Sequence, residues 1–186
     1  MIAMNLDKIF DRMLRRTIVL TRCIFRETRE KYYAINNANE VLARMNQDYV
    51  IKFTESYFRR VTGFDGLIEW QIETCGEGRD GESELGSSII RIPRLRHVDL
   101  EFVDTLLHEL FHKTQPEWCD QDNEEEFLRD CIIEGDAPNL VSKLKDLDIS
   151  ISDLIYYGSW SEFEAFRFAY DHTERCVDEL LREELQ

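Results

Sequence analysis

Apolar residues recur every three or four positions over most of this chain, and every second position over one short part of it. Leu6, Ile9, Phe10, Met13, Leu14, Leu20 and Ile24 form one stripe, which predicts an amphipathic first helix. A second helix is expected from about Asn39 to Val61. Val41, Leu42, Met45, Phe53, Tyr57, Phe58 and Val61 would face the core, and Gly63 would close it. The period changes after Gly66. Leu67 to Thr74 alternates and is rich in Ile and Trp, which predicts a strand, and Ser88 to Ile92 predicts another, ended by Pro93. Between them the four glycines of Gly76 to Gly86 predict a loop or hairpin connection.

From Asp99 the helical period returns. Glu101 to Lys113 predicts one helix, and Asn123 is a candidate cap for the next, which runs to about Glu134. Leu140 to Leu147 predicts a short helix, while Tyr156 and Tyr157, just before Gly158, read as loop. Ser161 with Glu164 three places on is a capping-box pattern for a last helix through Phe166, Tyr170, Val177 and Leu181. The expected architecture is α+β, mostly helical with a small mixed sheet. It is read as one domain over 1–186: N-terminal helices at 1–64, the sheet at 65–95, further helices at 99–138 and a C-terminal helical part at 139–186.

The most informative residues lie on the helix after Asp99: His108-Glu109-Leu110-Phe111-His112. Residues four apart on a helix lie about 40° apart around its axis and one turn along it, so His108 and His112 point the same way and can bind one metal ion. Zinc accepts imidazole nitrogen and tolerates an open coordination position. Glu109, about 100° from His108, can reach water at the metal without being a ligand, the arrangement that peptide hydrolysis needs. On the same wheel Val103, Leu106, Leu107, Leu110 and Phe111 fall opposite the histidines, so burying that side leaves the other free to face a cleft. The remaining histidines read differently: His97 as a loop residue after Pro93, His172 as part of the last helix.

A catalytic zinc needs a third protein ligand. The candidate is Glu134, 22 residues after His112, at the end of the next helix and beside apolar Ile132 and Ile133, with Glu126 and Asp130 as rivals on nearby turns. The oxyanion that forms during hydrolysis also needs a donor. Tyr156, Tyr157, Tyr170 and His172 are available downstream, with Tyr170 preferred.

Thr105 to Gln115, followed by Ile133-Glu134-Gly135-Asp136-Ala137, resembles the gluzincin type of HExxH metallopeptidase, in particular small zinc proteases whose second motif is Glu-Gly-x-Ala. The resemblance covers about residues 86 to 138. It implies a zincin-like fold, with zinc held by His108, His112 and Glu134 and with Glu109 as general base. It also implies an edge strand over the motif helix that lines the cleft, a place that Ser88 to Ile92 would take. One departure stands out. Thermolysin-like members place an aspartate four residues after the ligand glutamate to orient a histidine, and here that residue is Pro138, which leaves Asp104, Asp130 or Asp136 for the task.

Charge and cysteine content narrow the class further. The formal net charge of −15 argues against nucleic acid as a partner, because phosphate binding needs a basic surface. Residues 117–136 carry nine acids against Arg129 alone. No apolar run approaches the about 18 residues of a membrane span. Five cysteines, odd in number and without a CxxC pair, fit reduced thiols in a cytoplasm better than a disulfide framework. The expected function is therefore zinc-dependent cleavage of a peptide or protein substrate, with a non-catalytic metal-holding binding module as the alternative.

Overall fold

The computed structural model describes residues 5–27, 30, 36–73, 81–83, 86–116 and 120–184. The chain gathers into two compact units, each built from two separate stretches: residues 1–26 with 118–164, and residues 27–117 with 165–186.

The first unit is helical among the described residues. Helix α1 (Leu6–Val19) starts at Asn5, whose side chain accepts the Lys8 N–H, and runs directly into a π-helical turn, Leu20–Ile24. It packs with α5 (Asp120–Ile133), α6 (Pro138–Asp146) and α7 (Ile151–Gly158) around Phe10, Met13, Leu128, Ile132, Leu144 and Leu154. Three details differ from the pattern reading. Helix α5 already runs from Asp120, so Asn123 lies inside it and caps nothing. The short helix expected from Leu140 starts at Pro138, the first residue of α6, where its missing N–H costs no bond. Tyr156 and Tyr157 belong to helix α7 rather than to a loop, because Ser150 caps it through the Asp153 N–H. Gly158, at the end of α7, allows close approach to α1: a Cβ there would meet Met13 Cβ at 2.9 Å and Met13 O at 3.0 Å.

One buried carboxylate organises the polar side of this unit. Glu125 is 4% exposed, accepts from Arg16 Nη1 at 2.6 Å and accepts the Trp160 N–H at 2.9 Å. Burial pushes its carboxyl above the ordinary carboxylate range, and the Trp160 and Arg16 bonds offset only part of that. Trp160 is the first residue of the last helix, α8 (Trp160–Glu184), so Glu125 places negative charge at a helix start. The hydroxyl that caps this start belongs to Ser159, which accepts the Glu162 N–H at 3.3 Å. Ser161 is already helical and so cannot serve as the cap.

The second unit carries the sheet. The single helix expected from Asn39 to Val61 is two, α2 (Asn36–Leu42) and α3 (Gln47–Thr62). Asn46 separates them by accepting the Asp48 and Tyr49 N–H groups as a new cap. Gly63 ends α3 in the left-handed conformation, φ 73°. Strands β1 (Glu69–Glu73), β2 (Glu82–Ser83) and β3 (Ile89–Pro93) lie in the order β1-β3-β2, with β1 parallel and β2 antiparallel to β3. Ile90 and Ile92 are fully buried while their neighbours are not, the period of two that the sequence carries. The strand from Ser88 to Ile92 is thus the central one, since it pairs on both sides, and the edge beside the motif helix is β2. Most of the glycine-rich connection that contains β2 falls outside the described residues.

Helix α4 (Leu100–His112) begins at Asp99, whose carboxylate accepts the Phe102 N–H at 2.9 Å. Its apolar side, Val103, Leu106, Leu107 and Leu110, is completely buried among Leu42, Val50, Tyr57, Phe58, Ile90, Ile92 and the Ala169 to Leu180 face of α8.

His172 sits on that part of α8. Its Nδ1 lies 3.0 Å from the Tyr57 hydroxyl, and Phe168 stacks on its ring at 4.3 Å. Desolvation lowers its pKa below the ordinary value of 6.5, the nearby Arg175 lowers it further, and Asp171 works against both. A histidine that resists protonation when folded contributes stability that is full above its unfolded pKa and is lost as pH falls through the folded one. Protonation would also put a hydrogen on Nδ1, the atom that faces the Tyr57 hydroxyl. Unfolding free energy measured by denaturant titration should therefore decline as pH falls below 6.5. The His172→Gln protein should decline less steeply, because its side chain has no proton to gain. Equal slopes would remove His172 as the cause.

Candidate metal centre

The helical pitch and the buried apolar side of α4 together decide where its histidines go. With Val103, Leu106, Leu107 and Leu110 in the core, His108 and His112 emerge on the other side of the helix, and their rings meet edge to face at 4.8 Å. The two Nε2 atoms lie 3.1 Å apart. Nitrogens that share one tetrahedral zinc at about 2.0–2.1 Å each stand about 3.3 Å apart, so the observed spacing fits two ligands aimed at one ion. Both rings are 6% exposed.

Two contacts hold the helix end and its rings. Beyond His112, Lys113 donates to the carbonyls of Ser87 at 2.8 Å and Ile89 at 2.9 Å, which ties the end of α4 to the start of β3. Phe166, on α8, lies 4.3 Å from the His108 ring.

A carboxylate completes the cluster. Among the described residues, His108, His112 and Glu162 each offer a ligand atom within 4.8 Å of the others, a set that could hold a metal ion. Glu162 stands one turn before Phe166 on the same unbroken helix, so the helix that packs on His108 also carries the acid. Glu134, the ligand expected from the sequence, is exposed in the turn after α5. Its neighbour Gly135 adopts φ 83°, a left-handed residue that ends the helix. The sequence signal for Glu162 was slight: an acid in the first turn of a helix ordinarily complements the helix dipole, and nothing in the local pattern marks it as a ligand.

Glu109 is 7% exposed. Gly81, the residue before β2, lies directly against it: a Cβ on Gly81 would meet Glu109 Cγ at 2.8 Å, Thr105 Cγ2 at 3.0 Å and Glu109 Oε1 at 3.1 Å. Only a glycine lets the backbone come so near. The edge strand thus begins on top of the motif glutamate.

The other candidates have separate engagements. Tyr170 donates its hydroxyl to Glu27 Oε2 at 2.6 Å, and its phenol is pushed up to about 12, chiefly by that hydrogen bond and then by burial. Tyr157 packs edge-on against Phe25. His172 faces Tyr57, and His97 is exposed with Nδ1 near the Ala43 carbonyl. Asp104 accepts from Thr173 Oγ1 at 3.0 Å. Beside His112 stands Gln115, a residue that the sequence analysis does not single out, with its Oε1 2.7 Å from His112 Nδ1. Among the described residues no helix is long and apolar enough to cross a membrane.

No protein-family model, no curated protein and no solved structure matches the chain.

Proposed function

We propose that this protein is a zinc-dependent peptide hydrolase in which His108, His112 and Glu162 hold the metal and Glu109 is the general base. The convergence of the two Nε2 atoms at 3.1 Å, with the Glu162 carboxylate inside the same 4.8 Å cluster, carries the reading. Two imidazoles and a carboxylate are a donor set that zinc accepts, and three protein donors leave a position open. Zinc bound there would supply a Lewis acid that polarises a carbonyl and acidifies a water.

The chain's own groups do the rest. Glu109 follows His108 directly on the helix, and its carboxylate is the group that accepts a proton from the attacking water and returns it to the leaving amine. Gly81 restricts that side chain on the side of the edge strand. An extended peptide suits the site because, among the described residues, β2 lies at the edge of the sheet, and a strand edge recognises peptide backbone.

The low exposure of Glu109 favours a second reading, a metal that steadies a binding module without turnover.

Protein purified without an affinity tag should contain about one zinc per chain. His108→Ala and Glu162→Ala should lose it, while Glu134→Ala keeps it. Loss in the Glu134 variant with retention in the Glu162 variant would reverse the assignment of the third ligand, and a metal-free wild type would end the proposal.

Glu109→Gln should keep zinc and abolish cleavage of a peptide pool followed by mass spectrometry, because the near-isosteric amide cannot accept the proton. Wild-type cleavage by that variant would remove Glu109 as the base. Absence of cleavage by the wild type, with zinc bound, would favour the binding module.

Gly81→Ala should also keep zinc. Displacing the Glu109 carboxylate by a fraction of an ångström should lower turnover on the order of 10²-fold, with little change in KM. Unchanged turnover would show that the close approach has no part in orienting the base.

A further inference from the structure

We propose that Gln115 is a positioning residue that fixes the tautomer of His112 and, by being an amide rather than an acid, sets how tightly the site holds its metal. The inference rests on the reading of His108 and His112 as ligands, but not on hydrolysis. A neutral imidazole has one N–H and one lone pair, and the partner of one nitrogen decides which nitrogen binds a metal. Gln115 Oε1 lies 2.7 Å from His112 Nδ1, and an amide oxygen can only accept. His112 Nδ1 therefore carries the hydrogen, and the lone pair sits on Nε2, the atom that faces His108 at 3.1 Å.

The surroundings leave Gln115 little freedom to do otherwise. It is 8% exposed, its own N–H bonds the His112 carbonyl at 3.3 Å, and the turn that carries it is pinned where Lys113 donates to Ser87 and Ile89. The bond is thus made inside one short, anchored segment and moves with the ligand it serves.

The chemical identity of the partner matters as much as its place. Carboxylates beside ligand histidines raise the basicity of the ring, and partners of this kind change metal affinity by about 10- to 100-fold. An amide orients the ring without adding negative charge, which leaves His112 a weaker donor. Substitutions should therefore act in opposite directions: Gln115→Leu should weaken zinc binding by about 10- to 100-fold, and Gln115→Glu, with the same reach and a full charge, should strengthen it.

The test uses the full chain. Zinc affinity is measured by competition with a chromogenic chelator for the wild type and both variants, with circular dichroism to verify folding. Long-range ¹H–¹⁵N spectra of the metal-free wild type and Gln115→Leu report the His112 tautomer. Hydrogen on Nδ1 in the wild type, its loss in Gln115→Leu and opposite shifts in affinity are expected. Hydrogen on Nε2 in the wild type, or a folded Gln115→Leu protein with wild-type affinity, overturns the proposal. If Gln115→Leu does not fold, Gln115→Glu decides alone, and affinity equal to or weaker than wild type overturns it. A wild type that takes no zinc defeats the reading of the site as a metal centre, whereas a wild type that binds zinc indifferently to residue 115 defeats only this inference.

Discussion

Two imidazole nitrogens 3.1 Å apart keep facing one place only where the helix that bears them cannot turn. On α4 that restraint comes from the core. Val103, Leu106, Leu107 and Leu110 have no exposed surface, and rotating the helix would bring them into water at roughly 1.5–3 kcal/mol for each side chain lost from burial. The Asp99 cap fixes where the helix begins, and Lys113 fixes where it ends. With rotation and both ends set, the directions of His108, Glu109 and His112 follow from the pitch alone, and the contacts of Phe166, Gly81 and Gln115 refine directions that the core has already chosen.

What could be read from the sequence follows from the range of the interactions involved. The HExxH helix was legible because its apolar and polar sides separate within 13 residues, and the alternation of β3 and the glycine that ends α3 are equally local. The break between α2 and α3 was missed because the apolar stripe continues past it. Asn46 interrupts the helix by a side-chain bond that hydrophobic periodicity does not register. The place of β3 at the centre of the sheet depends on β2, two residues in a glycine-rich stretch that offer too little pattern to read as a strand.

The site itself was legible in proportion to the sequence distance between its members. His108 and His112 are four apart, and the helix alone brings them together. Glu162 is 50 residues beyond His112, and only the folded course of the last helix puts it in the same cluster. Likewise each of the two compact units is assembled from two stretches far apart in sequence, with no proline- or glycine-rich linker at any of the three crossings to mark the boundary.

From Phe166 on, the last helix carries a ring contact and a core on one stretch of backbone. Phe166 contacts the His108 ring, while Ala169, Cys176, Val177 and Leu180 lie in a core. On one helix these positions cannot be adjusted one at a time. Inserting or deleting one residue between Phe166 and Ala169 would rotate Phe166 by about 100° around the helix axis relative to the core residues after it. The ring contact would then be lost while the core stayed in place. Variation in length is thus barred from a stretch of chain where variation in side chain is not, and the sequence between Phe166 and the core is constrained by its count rather than by its composition.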